Sequence, residues 1–180
     1  MSIMNTFTGK KFDPMIMTKE DVVLEDIAHA LSLLCRGGGH VKYFYSVGQH
    51  SINCMKEAEA RGWSSRVQLA CLLHDASEAY LSDIIRPVKV HLSNYIAIET
   101  RIMSHIFEKF GLEDLCPEEN AKWKQIDDAI LDYELKTLMS GEEDRAVKPL
   151  CSVPDVSEKT GKEVAAEFIT LAQKLCGEVS

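Results

Sequence analysis

Three ionisable side chains follow an apolar run in the segment Leu72-Leu73-His74-Asp75-Ala76-Ser77-Glu78. The helical spacing of the apolar residues before it predicts that this segment lies in the core of a helical domain. Burying an ionisable group is unfavourable unless a metal ion or a partner compensates for the lost hydration. The fold must therefore surround His74 and Asp75 with compensating groups, and a bound metal ion is the hypothesis that accounts for both.

Composition narrows the class of protein. The 180 residues, with 46% hydrophobic and 27% charged residues, predict one soluble globular domain over residues 1–180. The net charge of −8 argues against nucleic acid or an anionic membrane as partner. Six scattered cysteines without a C-x-x-C pair favour reduced thiols. Since no segment is typical of a signal peptide or a membrane span, we expect a cytoplasmic protein that binds a small molecule.

Apolar periodicity predicts an all-α bundle of about six helices, with a core over about 22–140. The predicted helices cover about 22–35, 46–62, 64–80, 92–110, 117–141 and 158–176. The turn-rich residues 1–20 are typical of a short hairpin. Ser46 and Gln49 have the spacing of a capping box, and Pro87 makes residues 81–89 an irregular connector.

Four polar residues lie on or beside predicted helix faces that are otherwise apolar: His50, His74, Asp75 and Asp127. Two imidazoles and two carboxylates suit a divalent transition ion and leave positions for water. The alternative is a set of core polar groups that satisfy one another. Asp128 competes with Asp127 for the fourth position, but helical register turns Asp128 outward.

The spacing of these residues resembles the H…HD…D signature of the HD-domain metal-dependent phosphohydrolases, in particular the 5′-deoxynucleotidase branch. The similarity includes residues 44–51, 73–89 and 124–134, and it covers about 25–140. The resemblance implies the orthogonal helical HD fold and hydrolysis of nucleotides. It also implies one divalent ion, either Zn²⁺, Mn²⁺, Co²⁺ or Fe²⁺ with Mg²⁺ also open, and it is consistent with a homodimer.

The same resemblance implies roles for residues around the metal ligands. Glu78, predicted one helical turn after His74, would orient the attacking water, or else support a ligand without transferring a proton. Asp83 would be a catalytic carboxylate, or else an ordinary helix N-cap. Arg36 would contact the substrate phosphate. Lys89 and His40 are weaker phosphate or sugar ligands, with a solvated surface position as the alternative for each.

Gly37 departs from this pattern, because the deoxynucleoside monophosphatases carry a bulky aromatic residue after the arginine. Base and sugar selection would then fall to Tyr43, Phe44 or Tyr45, or be looser. We expect hydrolysis of deoxynucleoside 5′-monophosphates to deoxynucleoside and phosphate. The alternatives are a deoxynucleoside triphosphate triphosphohydrolase, a non-catalytic nucleotide-binding module, and a helical protein with a structural metal.

Overall fold

The computed structural model describes residues 2–179, and its regular structure is almost entirely helical. The predicted all-α bundle is therefore confirmed, and the six longest helices correspond to the six that periodicity predicted. The helices are α1 (Leu24–Leu33), α2 (Val47–Ala60), α3 (Ser65–Leu73), α4 (Glu78–Leu81), α5 (Arg86–Lys89), α6 (Ser93–Lys109), α7 (Pro117–Leu138) and α8 (Gly161–Val179).

The first part of the chain forms the expected hairpin. Strands β1 (Met4–Asn5) and β2 (Lys11–Phe12) pair antiparallel, with Met4 opposite Phe12. Short 3-10 helices follow at Pro14–Ile16, Lys19–Asp21 and Arg36–Gly39. Within residues 2–179, no helix is both long enough and apolar enough to cross a membrane.

Helix α3 lies at the centre of the bundle, in contact with α2, α7 and α8. All five residues of its last part, Leu69 to Leu73, are buried. Helix α2 is almost as enclosed, because 11 of its 14 residues are buried. It begins with the predicted capping box, in which the Gln49 backbone N–H donates to Ser46 Oγ at 3.1 Å. The two helices that carry the candidate histidines therefore form the most enclosed part of the fold.

The predicted third helix is wrong in its second half. It was expected to reach Tyr80, but α3 ends at Leu73, and a tight turn over residues 74–77 separates it from α4. Hydrogen bonds between residues three apart close this turn, including Ala76 N–H to Leu73 O at 2.9 Å. The regular i, i+4 relationship predicted between His74 and Glu78 is therefore absent. The turn places His74 and Asp75 directly after the last residue of α3.

A polar stripe on α2, formed by Gln49, Asn53 and Glu57, holds the extended segment 151–157 against the bundle. Gln49 Nε2 donates to a carbonyl of this segment at 2.8 Å. Asn53 both donates to and accepts from the backbone of Asp155, at 3.0 Å each. The Glu57 carboxylate accepts the first two backbone N–H groups of the segment, at 3.0 and 2.8 Å. This segment therefore packs on α2 through hydrogen bonds where another helix would pack through apolar contacts.

Candidate metal centre

Three separate helical regions bring the four predicted ligands to one place. His50 comes from α2, His74 and Asp75 follow the end of α3, and Asp127 lies in the middle of α7. His50 Nε2 lies 3.2 Å from His74 Nε2 and 3.2 Å from Asp127 Oδ1. Asp75 Oδ2 lies 3.3 Å from His74 Nε2 and 3.8 Å from His50 Nε2. Four acceptor atoms thus surround one small volume.

Hydrogen bonds on the far side of each ring fix how the two histidines can act. His50 Nδ1 lies 2.8 Å from Glu134 Oε1, and His74 Nδ1 lies 2.7 Å from the Cys71 carbonyl. Both partners are acceptors, so each Nδ1 carries the proton. Each Nε2 is then left with a lone pair directed at the shared volume. This is the tautomer that a metal-binding imidazole requires.

The spacing of these atoms fits one divalent ion. Bonds of about 2.0–2.2 Å separate neighbouring ligand atoms by roughly 3.0–3.6 Å. The distances from the two histidine Nε2 atoms to each other and to the carboxylate oxygens of Asp75 and Asp127 run from 3.2 to 3.8 Å, close to this range. The donor set of nitrogen and carboxylate oxygen atoms suits Zn²⁺, Mn²⁺, Co²⁺ or Fe²⁺.

One of the six cysteines, Cys54, also lies at this centre. Cys54 Sγ lies 3.5 Å from His50 Nε2, one helical turn along α2. The buried group of His50, Cys54 and His74 has its ligand atoms within 4.8 Å of one another and could hold a metal ion. A helical wheel of α2 does place Cys54 on the face of His50, and this was the available signal.

The electrostatics of the centre favour positive charge. Burial lowers the pKa of His50 and of His74, but the facing carboxylates outweigh it and raise the pKa of both. Burial likewise raises the pKa of Asp75 and of Asp127, but the two imidazoles outweigh it and lower both. A site that holds two carboxylates ionised while drawing protons onto its imidazoles attracts a cation.

Glu134 is a supporting residue whose importance the sequence only hinted at. It is buried in α7, and its Oε1 accepts from Tyr45 OH at 2.7 Å as well as from His50. Its Oε2 lies 3.3 Å from one Arg36 nitrogen, while the other terminal nitrogen of Arg36 lies 3.3 Å from Asp75 Oδ2. Glu134 therefore orients a metal ligand and the predicted phosphate-binding arginine at the same time.

A cavity of about 340 Å³ opens beside this centre. Its polar wall includes Arg36, Asp83 and Glu134, and Gly37 lines it next to Arg36. The remaining wall is mainly apolar and comes from the start of α5 with the residue before it, and from the second half of α7 with the residue after it: Ile85, Pro87, Leu131, Leu135, Leu138 and Met139. The cavity therefore has a charged end next to the candidate ligands and an apolar body.

Asp83 lines the charged end of the cavity, and Glu78 lies near enough to Asp83 and Asp75 for their charges to act on it. Glu78 is buried, its Oε2 has no hydrogen-bond partner among the described residues, and burial with nearby Asp75 raises its pKa to about 10. Burial also raises the pKa of Asp83. The residue before Asp83, Ser82, has a φ of 73°. A non-glycine residue in this region is strained, and such strain is typical of positions that fix a functional side chain.

The remaining residues predicted for the site lie at or outside its edge. His40 is exposed at the rim of the cavity. Lys89 lies away from the cavity wall and pairs with Glu99, with 2.6 Å between Nζ and Oε1. Asp128 is largely exposed and pairs with Arg86 on the surface.

The aromatic residues proposed for base selection also differ in position. Tyr45 lines the cavity, Tyr43 donates to the Val156 carbonyl, and Phe44 is partly exposed. Tyr45 is therefore the one of the three that lies against the space a substrate would fill.

No protein-family model matches the sequence. Among curated proteins, YfdR of Escherichia coli (strain K12) is 41% identical over 112 residues, which are 62% of this chain and 60% of YfdR. A protein of Rhodobacter capsulatus is 37% identical over 116 residues, which are 61% of this chain and 59% of that protein. The chain thus spans about three fifths of the length of these relatives. Both carry the description "uncharacterized".

Proposed function

We propose that this protein is a metal-dependent phosphohydrolase of the HD-domain type that acts on nucleotides. Its substrate class would be the deoxynucleoside 5′-monophosphates, which it would cleave to deoxynucleoside and phosphate. The observation that carries the proposal is the convergence of two Nε2 lone pairs and two carboxylates beside an open cavity whose polar end holds Arg36. A cytoplasmic location and a homodimer belong to the same proposal and rest on the sequence alone.

In this proposal His50, His74, Asp75 and Asp127 hold one divalent ion. The ion would supply a Lewis acid for the phosphoryl group and would lower the pKa of water, so that no serine or cysteine nucleophile is needed. Glu134 keeps the His50 ring in the correct tautomer through the 2.8 Å contact with Nδ1. The Cys71 carbonyl does the same for His74.

Arg36 would bind the substrate phosphate. Its guanidinium group lies between Asp75 and Glu134, with its side chain 14% exposed and facing the cavity. Its two terminal nitrogens each use a contact to a carboxylate, and the planar group retains further N–H donors for phosphate oxygens. Burial lowers the pKa of Arg36, but Glu134 and Asp75 outweigh it and raise that pKa, so the charge is permanent.

Glu78 and Asp83 would handle protons. With a pKa of about 10, Glu78 carries a proton at neutral pH and can donate it. The leaving group of a phosphomonoester is an alkoxide that needs a proton, so a neutral carboxylic acid at this position has a chemical use. Asp83 lines the cavity and directly follows the strained residue Ser82. It is the second candidate for the same proton transfer or for orienting water.

The apolar body of the cavity would receive the nucleoside. Its volume of about 340 Å³ is within the range of small-molecule sites, roughly 300–1,000 Å³. The glycine at position 37 leaves this space open on the side of Arg36.

A nucleotide panel tests the proposal. Metal-analysed protein is incubated with deoxynucleoside and ribonucleoside mono-, di- and triphosphates in the presence of Mn²⁺, Co²⁺ or Zn²⁺, and the released phosphate species are identified. We expect inorganic phosphate from the deoxynucleoside monophosphates. Release of triphosphate would instead identify the deoxynucleoside triphosphates as the substrates. Nucleotide binding without hydrolysis would favour the non-catalytic module. Absence of both binding and hydrolysis for every nucleotide in the panel would refute the proposal.

A further inference from the structure

The buried thiol of Cys54 lies where a further ligand of the proposed ion would lie. Its Sγ is 3.5 Å from His50 Nε2. The Sγ and the ligand atoms of both histidines all lie within 4.8 Å of one another. With a metal–sulfur bond of about 2.3 Å and a metal–nitrogen bond of about 2.0–2.1 Å, angles of about 90–110° at a five-coordinate ion separate sulfur and nitrogen by roughly 3.1–3.6 Å. The 3.5 Å separation fits two ligands of one ion, and it also fits an S–H hydrogen bond to Nε2 when no ion is bound.

The position of Cys54 on α2 fixes the short distance between its Sγ and His50 Nε2. His50 and Cys54 are four residues apart, so they lie above one another on the face of α2 that meets α3 and α7. The His50 ring is held by Glu134 and cannot turn its Nε2 away from the thiol. Cys71 offers a comparison, because it is equally buried on α3 but belongs to no ligand group among the described residues.

We propose that Cys54 binds the metal ion through its sulfur and makes the centre selective for ions that accept thiolate, Zn²⁺ and Co²⁺, over Mn²⁺ and Mg²⁺. The inference rests on the metal site of the proposed function. On binding, the S–H bond of Cys54 breaks, a metal–sulfur bond forms, and the proton passes to solvent. Thiolate ligands favour zinc and cobalt, whereas magnesium and manganese prefer oxygen.

Cobalt spectroscopy tests the metal–sulfur bond directly. Protein freed of metal by a chelator is titrated with Co²⁺ and its absorption spectrum is recorded. We expect visible ligand-field bands together with a near-ultraviolet thiolate-to-cobalt charge-transfer band. Cys54→Ser should retain the visible bands and lose the charge-transfer band. The control Cys116→Ser, which changes an exposed thiol at the start of α7, should retain both.

Two outcomes separate this inference from the proposed function. Visible bands without charge transfer in the unmodified protein would overturn sulfur ligation and leave the metal site standing. Failure of the unmodified protein to bind Co²⁺, Zn²⁺ or Mn²⁺ would remove the site and the phosphohydrolase proposal with it.

A second measurement needs no variant and therefore does not depend on whether Cys54→Ser folds. X-ray absorption at the zinc edge of the loaded protein should require one sulfur scatterer at about 2.3 Å beside the nitrogen and oxygen ligands. A first shell of nitrogen and oxygen alone would overturn the inference. In competition titrations, Cys54→Ser should lose about tenfold or more in Zn²⁺ affinity and little in Mn²⁺ affinity. Equal losses for both ions would count against a role in selectivity.

Discussion

His50 and His74 direct their Nε2 atoms at each other across 3.2 Å, while the Nδ1 atom of each ring is bonded to an acceptor on the opposite side. Two nitrogen lone pairs at this distance repel unless a cation or a proton lies between them. The fold therefore holds the rings in an arrangement that is favourable only with positive charge in the centre.

Asp127 and Asp128 provide a matched pair for testing the metal site. Asp127→Ala removes an oxygen 3.2 Å from His50 Nε2 and should abolish metal binding and hydrolysis, as should His74→Ala or Asp75→Ala. Asp128→Ala removes a surface carboxylate paired with Arg86, whose other terminal nitrogen lies 3.5 Å from Asp127 Oδ2, and should change metal binding and hydrolysis far less than Asp127→Ala does. Metal content by elemental analysis and turnover of the accepted nucleotide are the measurements. Full turnover by Asp127→Ala would contradict the ligand assignment.

Glu134→Gln should weaken metal binding without removing a ligand. The amide has one oxygen in place of two, so it can no longer accept from His50, Tyr45 and Arg36 together. Loss of such a supporting carboxylate typically lowers metal affinity by about 10–100-fold. Tyr45→Phe removes one of the three donors and should have a smaller effect. A larger loss in Tyr45→Phe than in Glu134→Gln, measured by calorimetry, would argue against this order of importance.

Glu78→Gln or Glu78→Ala should retain the metal and lose most of the rate, because the variant has no acidic proton to give. A lost general acid typically lowers kcat by about 10²–10⁴-fold. The test compares kcat with metal content in the same preparation. Loss of the metal in both variants would reassign Glu78 to a structural role.

Arg36→Ala should chiefly raise KM. The loss of charge-assisted hydrogen bonds to phosphate, each worth about 1.5–3 kcal/mol, corresponds to a rise of roughly 10–100-fold. The substitution also leaves Asp75 and Glu134 without their shared partner, so a lower melting temperature is expected as well. Arg36→Lys is the control, since it keeps the charge but loses the planar pair of contacts. An unchanged KM in Arg36→Ala would exclude this residue from phosphate binding.

Glu57 gives a prediction for stability against pH. Burial raises its pKa, but donors from segment 151–157 and from Arg61 outweigh burial and lower it below the ordinary 4.5. Its contribution is therefore fully present above about pH 4.5 and is lost as pH falls through the lower folded pKa. Glu57→Gln should reduce the free energy of unfolding by about 1–3 kcal/mol at neutral pH. The difference should shrink in acid.

The control for Glu57 is on the same helix. Glu59→Gln changes an exposed carboxylate paired with Lys174, and it should alter the free energy of unfolding little at any pH. Urea unfolding of the three proteins between neutral pH and about pH 3 measures the effect. If the difference in free energy of unfolding between Glu57→Gln and the unmodified protein stayed constant across this range, the ionised Glu57 carboxylate would not be its cause.

Periodicity predicted the helices because each longer helix has an apolar face against the bundle. The start of α2 followed from Ser46 and Gln49, whose capping contacts are local. Local rules missed the break after Leu73, because the sequence there contains no glycine or proline. The turn at 74–77 depends on what His74 meets in the folded chain, on α2 and α7, and neighbouring residues carry no information about it.

The candidate ligands could be predicted because histidine and aspartate on apolar helix faces are conspicuous. Periodicity places Cys54 on the α2 face of His50 but does not separate a cysteine beside the candidate ligands from one that packs as an apolar residue; the 3.5 Å contact does. The bonds that Glu134 makes to Tyr45 and Arg36 join residues far apart in the chain and leave no periodic trace. The docking of segment 151–157 on the polar stripe was missed for the same reason.

Helix α2 has one face towards the candidate metal centre and another, the polar stripe, towards segment 151–157. Only Lys56, Glu59 and Ala60 among its 14 residues escape burial. Nearly every substitution in α2 therefore disturbs a candidate metal ligand, a hydrogen bond to the backbone or a closely packed neighbour. At Gly48, for example, an added Cβ would lie 2.9 Å from Val164. In a library of all single exchanges, α2 should be the least mutable stretch of the chain, with three tolerant sites on an otherwise intolerant helix.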